Sequence, residues 1–254
     1  MSSAPFGATC LSEGLPTTSP APAGGGKTLE LRIRHQPAYE PPMPWLAGIR
    51  EFRAEVLYDR GRRPDFRDES GRYIDEQGLD FGSYHLTAHL GPEAEIAASV
   101  RLVPPESPGE FQAIDHLGRQ GYAAMLTGLR AMGTPVHEAG RLVVSPRARG
   151  LGLGAWMVAA VMAAGRAVGA PLLIATSGTA DGQHLLFERL GWYACPGTDR
   201  YSSHYEDTVR VIAHRVGEGA GEYEATASEL SRHMDGAQLD GSVRIRGLGL
   251  PARG

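Results

Sequence analysis

The sequence predicts a mixed α/β fold, and three observations carry that prediction. Two strand-like runs separated by Gly91-Pro92 read as a hairpin. Downstream the order becomes strand, helix, strand, helix, strand, which is too uneven for a barrel or a regular doubly wound sheet. Within it, the apolar run Leu142-Val143-Val144 feeds a glycine-rich turn and then a helix that is apolar on nearly all sides, as an enclosed helix is.

Each element follows from local pattern. Residues 1–27 form a tail in which 20 of 27 residues are Ser, Thr, Ala, Pro or Gly, too few apolar groups to order themselves. The tail ends in Gly24-Gly25-Gly26-Lys27-Thr28, close to a phosphate-loop pattern. Ala21 stands at the first glycine position, and Pro-rich sequence rather than a strand precedes it, so the segment reads as a linker. Thr28–His35 alternates as a strand. Trp45–Leu57 has helical spacing at Trp45, Ile49, Phe52 and Val56. Residues 59–82, charged and rich in Gly and Pro, read as a long structured loop or short helices. Tyr84–Leu90 and Glu95–Val103 are the hairpin strands. Arg119–Met132 is a helix and Pro135–Ser145 a strand. Gly150–Val168 is the buried helix, Pro171–Thr176 a short apolar strand, and Asp181–Leu190 a helix ended by Gly191. Tyr205–Val216 is a last strand and 217–235 one more helix; no element is assigned to 236–254. The expected organisation is a tail (1–27), one domain (28–216) and a helical or irregular extension (217–254).

Composition excludes several classes. The chain has 254 residues and a formal charge of −4, without the basic excess of a nucleic-acid or anionic-membrane binder. No run is long and apolar enough for a membrane span, and the uncharged stretch Gly150–Gly165 is too short. Cys10 and Cys195 lie far apart and form no disulfide framework, which fits a reducing cytosol. The first residues carry no positive charge, and Pro5, Glu13 and Pro16 interrupt any apolar run, so no secretory signal is read and a cytoplasmic location is expected. Lys27 is the single lysine against 24 arginines, and asparagine is absent. GC-rich coding accounts for that bias. Its consequence is that no lysine of the domain can serve as a nucleophile or grip a phosphate.

The segment Ser145-Pro146-Arg147-Ala148-Arg149-Gly150-Leu151-Gly152-Leu153-Gly154-Ala155 is built for an anion. The first amides of a helix lack intrahelical partners and point outward, the dipole adds positive charge, and glycines let a phosphate reach the backbone. Gly150-x-Gly152-x-x-Ala155 also satisfies the loose dinucleotide fingerprint. That fingerprint needs an acidic residue about 20 positions on, and the next strand, Pro171–Thr176, contains none.

Arg147-Ala148-Arg149-Gly150-Leu151-Gly152 resembles R-x-x-G-x-G, the pyrophosphate loop of the GNAT acetyltransferase superfamily. Leu142-Val143-Val144-Ser145-Pro146 is similar to its central strand, and Phe187-Glu188-Arg189-Leu190-Gly191-Trp192 to its Y-x-x-x-G-[FW] helix ending. The resemblance spans about residues 28–216. It implies a mostly antiparallel central sheet flanked by helices and splayed at the acyl-thioester site. The N-terminal half resembles the acyl-homoserine-lactone and N-acyl amino acid synthase branch through Arg53-Ala54-Glu55-Val56, Asp75-Glu76 with Asp80, Ser99-Val100-Arg101-Leu102-Val103-Pro104, and Glu138-Ala139-Gly140-Arg141. That branch's usual tryptophan between Val56 and Asp75 has no counterpart. Many members take acyl groups from carrier protein and lack a full glycine loop; the complete loop here favours a coenzyme A thioester.

The resemblance implies N-acylation of a small amine, an amino acid or related metabolite, by direct attack on acyl-CoA without a metal. A backbone N–H near Leu142 or Val143 would meet the carbonyl oxygen. Val144, Arg147, Arg149, Gly150, Leu151, Gly152, Gly154, Ala155 and Phe187 would hold the coenzyme. Glu138 is the expected base, since period two puts 138, 140 and 142 on one strand face. The alternative for Glu138 is an ion pair with Arg141 or Arg101. Arg53, Arg101 and Arg141 could shape a pocket for a carboxylate-bearing acceptor. Phe187 replaces the family's tyrosine, which leaves the leaving-thiol acid unassigned among Tyr193, Tyr201, Ser177 and His184. His85 and His89 lie on an alternating, strand-like run, with no further ligand to make a metal site. Alternatives left open are a short-chain acetyltransferase, a carrier-protein-dependent synthase and a catalytically silent acyl-CoA binder; a homodimer is likewise left open.

Overall fold

The computed structural model describes residues 29–59, 61, 63–91, 95–180, 182–203, 206–234, 239 and 241–248. The tail with Cys10 and Lys27, the Pro92 turn, and the expected element starts at Asp181 and Tyr205 lie outside the described residues. The elements run β1 (Leu29–Gln36), α1 (Pro44–Asp59), β2 (Ser83–Leu90), β3 (Glu95–Val103), α2 (Gln112–Gly128), β4 (Val136–Val144), α3 (Leu153–Ala167), β5 (Leu172–Gly178), α4 (Gln183–Arg189), β6 (Tyr193–Ala194), β7 (Arg200–Ser202), β8 (Asp207–Arg215), α5 (Glu224–Met234) and β9 (Ser242–Leu248). Between α1 and β2 the described residues carry two short 3-10 turns and one bridge, Arg67–Tyr73.

The strands make one sheet, ordered β6-β8-β5-β4-β3-β2-β1-β9, with β7 also on β8. Only the β4–β5 pair is parallel; the others are antiparallel. This is the mixed, mostly antiparallel architecture that the sequence predicts. One apolar cluster fills the face covered by α3 and α5, and a second fills the face covered by α2. Twelve of the fifteen residues of α3 are buried. Its alanines and Gly165 let it lie close to the sheet: a Cβ at Gly165 would stand 3.1 Å from Leu173.

Among the departures from the sequence expectation, two helix starts and one added strand have a plain physical reason. The helix predicted from Arg119 begins at Gln112, because the Glu138 carboxylate of β4 accepts the backbone N–H of Gln112 and of Ala113 at 2.7 and 2.8 Å. That cap comes from 25 residues downstream and has no local signature. Gly118, at φ 70° and ψ 159°, then breaks the helix into two segments, and the second opens at Arg119. The helix predicted from Gly150 begins at Leu153, since Gly150 and Gly152 adopt left-handed φ values of 75° and 74°. Residues 242–248, to which no element was assigned, pair with β1 and extend the sheet.

Candidate active site

The site is positioned by a fault in the sheet. β4 and β5 pair from Val136↔Leu172 to Ala139↔Ala175 and then part. On the other flank, β3 pairs Arg101↔Gly140 and then Ser99↔Val143, so β4 spends three steps where β3 spends two. The extra residue is a bulge at Arg141-Leu142, with Arg141 at φ 55°, uncommon for a residue with a Cβ. The bulge swings the end of β4 away from β5. Its β5-facing edge beyond Ala139 therefore has no strand partner among the described residues. A cavity of about 290 Å³ passes through the gap. Leu57, Gln112, Thr176 and Val209 line its α1/α2 side, and Val158, Val161 and Phe187 line its α3/α4 side.

Directly along β4 lies the glycine turn. A second cavity of about 470 Å³ is walled by Val144, Arg149, Gly150, Gly152, Gly154 and Ala155, with Leu186 and Arg189 of α4 opposite. Left-handed Gly152 ends the turn at the N-cap, so the amides of Leu153, Gly154 and Ala155 open the helix without i−4 partners. No side chain caps them. The space before Gly150 is open. Backbone donors, a helix dipole and arginines form a donor set that suits a diphosphate. The two cavities are lined by consecutive residues of the same elements: Leu142 and Val143, then Val144, on β4, and Phe187, then Leu186, on α4.

Behind the first cavity, on the α1 side, is a buried ionic cluster. Arg53 grips both oxygens of Asp80 at 2.9 Å and contacts Asp75 at 2.8 Å. Arg50 and Arg101 donate to Asp80 at 2.9 and 2.8 Å. Arg141 reaches Asp75 at 3.3–3.4 Å. Four guanidiniums thus face two carboxylates, and the exposed Glu76, 3.7 Å from Arg50, adds one negative group at the rim. Burial disfavours the charge of Asp80, but Arg53 and Arg101 hold its carboxyl far below the usual range. Arg101 fares worse: burial, with Arg53 and Arg141 near, outweighs Asp80 and depresses it to about 10. Its Nε and Nη2 are buried and find no hydrogen-bond partner among the described residues. A Cβ at Gly140, on the cavity wall, would stand 3.3 Å from Gln112 Oε1 and 3.8 Å from Arg101 Nη2. The missing side chain leaves that free N–H just behind the wall. Burial also pushes His85 down to about 3, so it stays neutral with Nε2 3.0 Å from the Asp80 carbonyl.

The structure brings together most of the expected residues. Arg141, Leu142, Val143 and Phe187 line the through-sheet cavity, and Val144, Arg149, Gly150, Gly152, Gly154 and Ala155 line the cavity at the glycine turn. Leu151 lies in the turn between them. Arg53 and Arg101 belong to the supporting cluster, and Arg147 turns outward toward Glu95 at 3.8 Å. The structure does not bring Glu138 to the cavity wall. Both of its oxygens serve the start of α2, and it makes no ion pair with Arg101 or Arg141. Strand alternation correctly put Glu138 on the same face as Gly140, but α2 sits between that carboxylate and any ligand. Tyr193, Tyr201, Ser177 and His184 do not line the cavity, and Phe187 packs edge-on against Trp192 at 5.2 Å. Cys195 is buried, its thiol pushed up to about 12, so it offers no thiolate. Sequence reasoning missed Gln112, Gly178, Arg189 and Asp207. Gly178 at a strand end was the one local signal; the others are joined to the site only by tertiary contacts.

A helix start with free amides adjoining a cavity between two parting parallel strands is an arrangement that suits an acyltransferase. The chain belongs to the acetyltransferase (GNAT) family, whose model matches residues 54–192. No curated protein sequence matches it. Among solved structures it is similar to FeeM, an N-acyl amino acid synthase from uncultured soil microbes (14% identity, TM-score 0.52, 76% of this chain and 93% of that chain). It is also similar to BjaI, a CoA-dependent acyl-homoserine lactone synthase solved with SAM and isopentyl-CoA (16%, 0.54, 80% and 89%). A third is TofI, solved in a ternary complex with an inhibitor and MTA (15%, 0.55, 78% and 96%). At these identities the likeness speaks to the fold alone. Among the described residues no helix is long and apolar enough to cross a membrane.

Proposed function

We propose that this protein transfers an acyl group from acyl-CoA to the amine of a small amino acid or related metabolite. The observation that carries the proposal is the parting of β4 from β5 beside the glycine turn, which sets a diphosphate cradle next to a passage through the sheet. The amides of Leu153–Ala155 and the arginines Arg149 and Arg189 would hold the diphosphate. The pantetheine arm would follow the free edge of β4, where a backbone N–H near Leu142 or Val143 meets the thioester oxygen as charge develops on it. The acceptor enters from the α1/α2 side, where Gln112, Arg141 and the free Nη2 behind Gly140 suit a carboxylate. With Phe187 in place of a phenol, the coenzyme A thiolate leaves without a side-chain acid. The complete glycine turn favours coenzyme A over a carrier protein as donor.

The test is free-thiol release by the purified protein from acyl-CoAs of increasing chain length, offered a panel of amino acids and simple amines. Turnover with an amino acid supports the proposal. Turnover only with acetyl-CoA and simple amines, or only from acyl carrier protein, replaces it with one of those activities. Coenzyme A retention with no thiol release for any pair makes the protein a binding module.

A further inference from the structure

Asp207, the first residue of β8, lines the same cavity as Arg141 and is not explained by the features above. Its side chain is held by dipoles and not by a cation. The Ala180 N–H reaches Oδ1 at 3.0 Å and Oδ2 at 3.2 Å, and the Thr179 hydroxyl donates to Oδ1 at 3.3 Å. No arginine or histidine pairs with it among the described residues. A carboxylate offers about four lone-pair directions; these contacts occupy three and leave one on Oδ2. Gly178, beside it on β5, is what lets the carboxylate sit there. A Cβ at 178 would fall inside the contact shell of Asp207 Oδ2, with the carboxyl carbon 3.3 Å away. The surrounding titratable groups are engaged elsewhere: His116 of α2 with the Thr198 and Val209 carbonyls, Arg210 of β8 with Asp199, and Arg141 of β4 with Asp75. His184 of α4 does not line the cavity.

We infer that Asp207 is the base for the acyl transfer and the seat of the acceptor's ammonium, and that Gly178 is present to give its carboxylate room. The inference rests on the acyltransfer reading above. The acceptor arrives as an ammonium, and Asp207 Oδ2 accepts one of its protons. The freed lone pair bonds to the thioester carbonyl carbon, and the C–S bond breaks as the tetrahedral adduct collapses. The second nitrogen proton ends on the departing sulfur, giving free coenzyme A thiol, and Asp207 passes its own proton to solvent. The acceptor's carboxylate lies on the β4 wall of the same cavity, so the acceptor carries both charges.

The experiment compares wild type, Asp207→Asn and Gly178→Ala in thiol release from acyl-CoA, over a range of pH. The acceptors are amino acids and hydroxylamine, whose weakly basic nitrogen arrives uncharged near neutral pH. Coenzyme A binding to each protein controls for folding. Asp207→Asn keeps the Ala180 contact and is expected to bind coenzyme A as wild type does, to lose about 10²–10⁴-fold in kcat with amino acids, and to lose the acid limb of the pH profile. It should recover most of that deficit with hydroxylamine, which a merely structural role for Asp207 would not allow. Gly178→Ala should raise the acceptor KM and lower kcat by displacing the carboxylate, and it decides the matter if Asp207→Asn fails to fold. Retention of kcat within about threefold and of the acid limb, or equal losses with both kinds of acceptor, overturns the assignment. Failure of the wild type with every amine overturns the acyltransfer reading itself, and the base with it.

Discussion

Asp80 is fully buried and accepts from Arg50, Arg53 and Arg101. Removing its charge leaves buried guanidiniums facing one another, so Asp80→Asn is expected to destabilise the fold by about 3–5 kcal/mol, read as a fall in denaturation midpoint. Because the Asp80 carboxyl is held far below its ordinary value of 3.8, its contribution is complete above that pH and is lost only in stronger acid. Glu138 behaves oppositely. Burial pushes it up to about 7, against the two α2 amides and Arg101. The folded protein therefore favours its proton, and the stability this brings, complete below about pH 4.5, is lost as the pH rises through about 7. Above about pH 7, where Glu138 is ionised, Glu138→Gln turns an amide donor toward the Gln112 or Ala113 N–H and is expected to cost about 1–3 kcal/mol. It should also remove the part of the slope of melting temperature against pH between those limits that comes from Glu138. The expectation that Glu138 is the base came from strand alternation, which places a side chain on a face but does not say which helix covers that face.

The turn into α3 was legible as an element because it is written in backbone conformation. Glycines at left-handed φ and an apolar helix both follow from local composition. Gly152→Val forces a β-branched residue to φ 74° at the N-cap, and is expected to weaken coenzyme A binding by about tenfold or more with little loss of secondary structure. Titration calorimetry with coenzyme A and circular dichroism check the two halves of that statement. Other elements were illegible for the complementary reason. The start of α2 is set by a carboxylate on a strand far along the chain. β9 exists because β1 offers it an edge, and its own sequence, Ser-Val-Arg-Ile-Arg-Gly-Leu, is short and carries a glycine. The docking of α5 is aided by Arg166 of α3, which grips both oxygens of Glu224 at 3.1 and 2.9 Å.

For the whole molecule, the two cavities and the charged cluster lie in succession along β4, from arginines and amides at the end proposed for the diphosphate to a carboxylate and unpaired guanidinium N–H groups at the end proposed for the acceptor. A ligand that fills the diphosphate end should stabilise the native state by mass action. Coenzyme A at about a hundred times its dissociation constant should contribute about 2.7 kcal/mol. That corresponds to a rise of roughly 5–10 °C in melting temperature for a protein of this size, measured by calorimetry with and without the ligand. No rise at saturating coenzyme A would remove the cradle from the proposal.

The sequence by itself determined the mixed α/β class, the enclosed helix, the glycine turn that opens it and the absence of lysine from the domain. All of these follow from periodicity, backbone freedom and side-chain type over a few neighbouring residues. Only the tertiary structure decided that Glu138 serves the start of α2, that Arg101 is left with free N–H groups behind Gly140, and that Asp207 faces the cavity beside Gly178. Those outcomes depend on a one-residue bulge in β4 and on strand pairings between distant segments. A shift of one residue in register turns every side chain beyond it to the other face of the sheet.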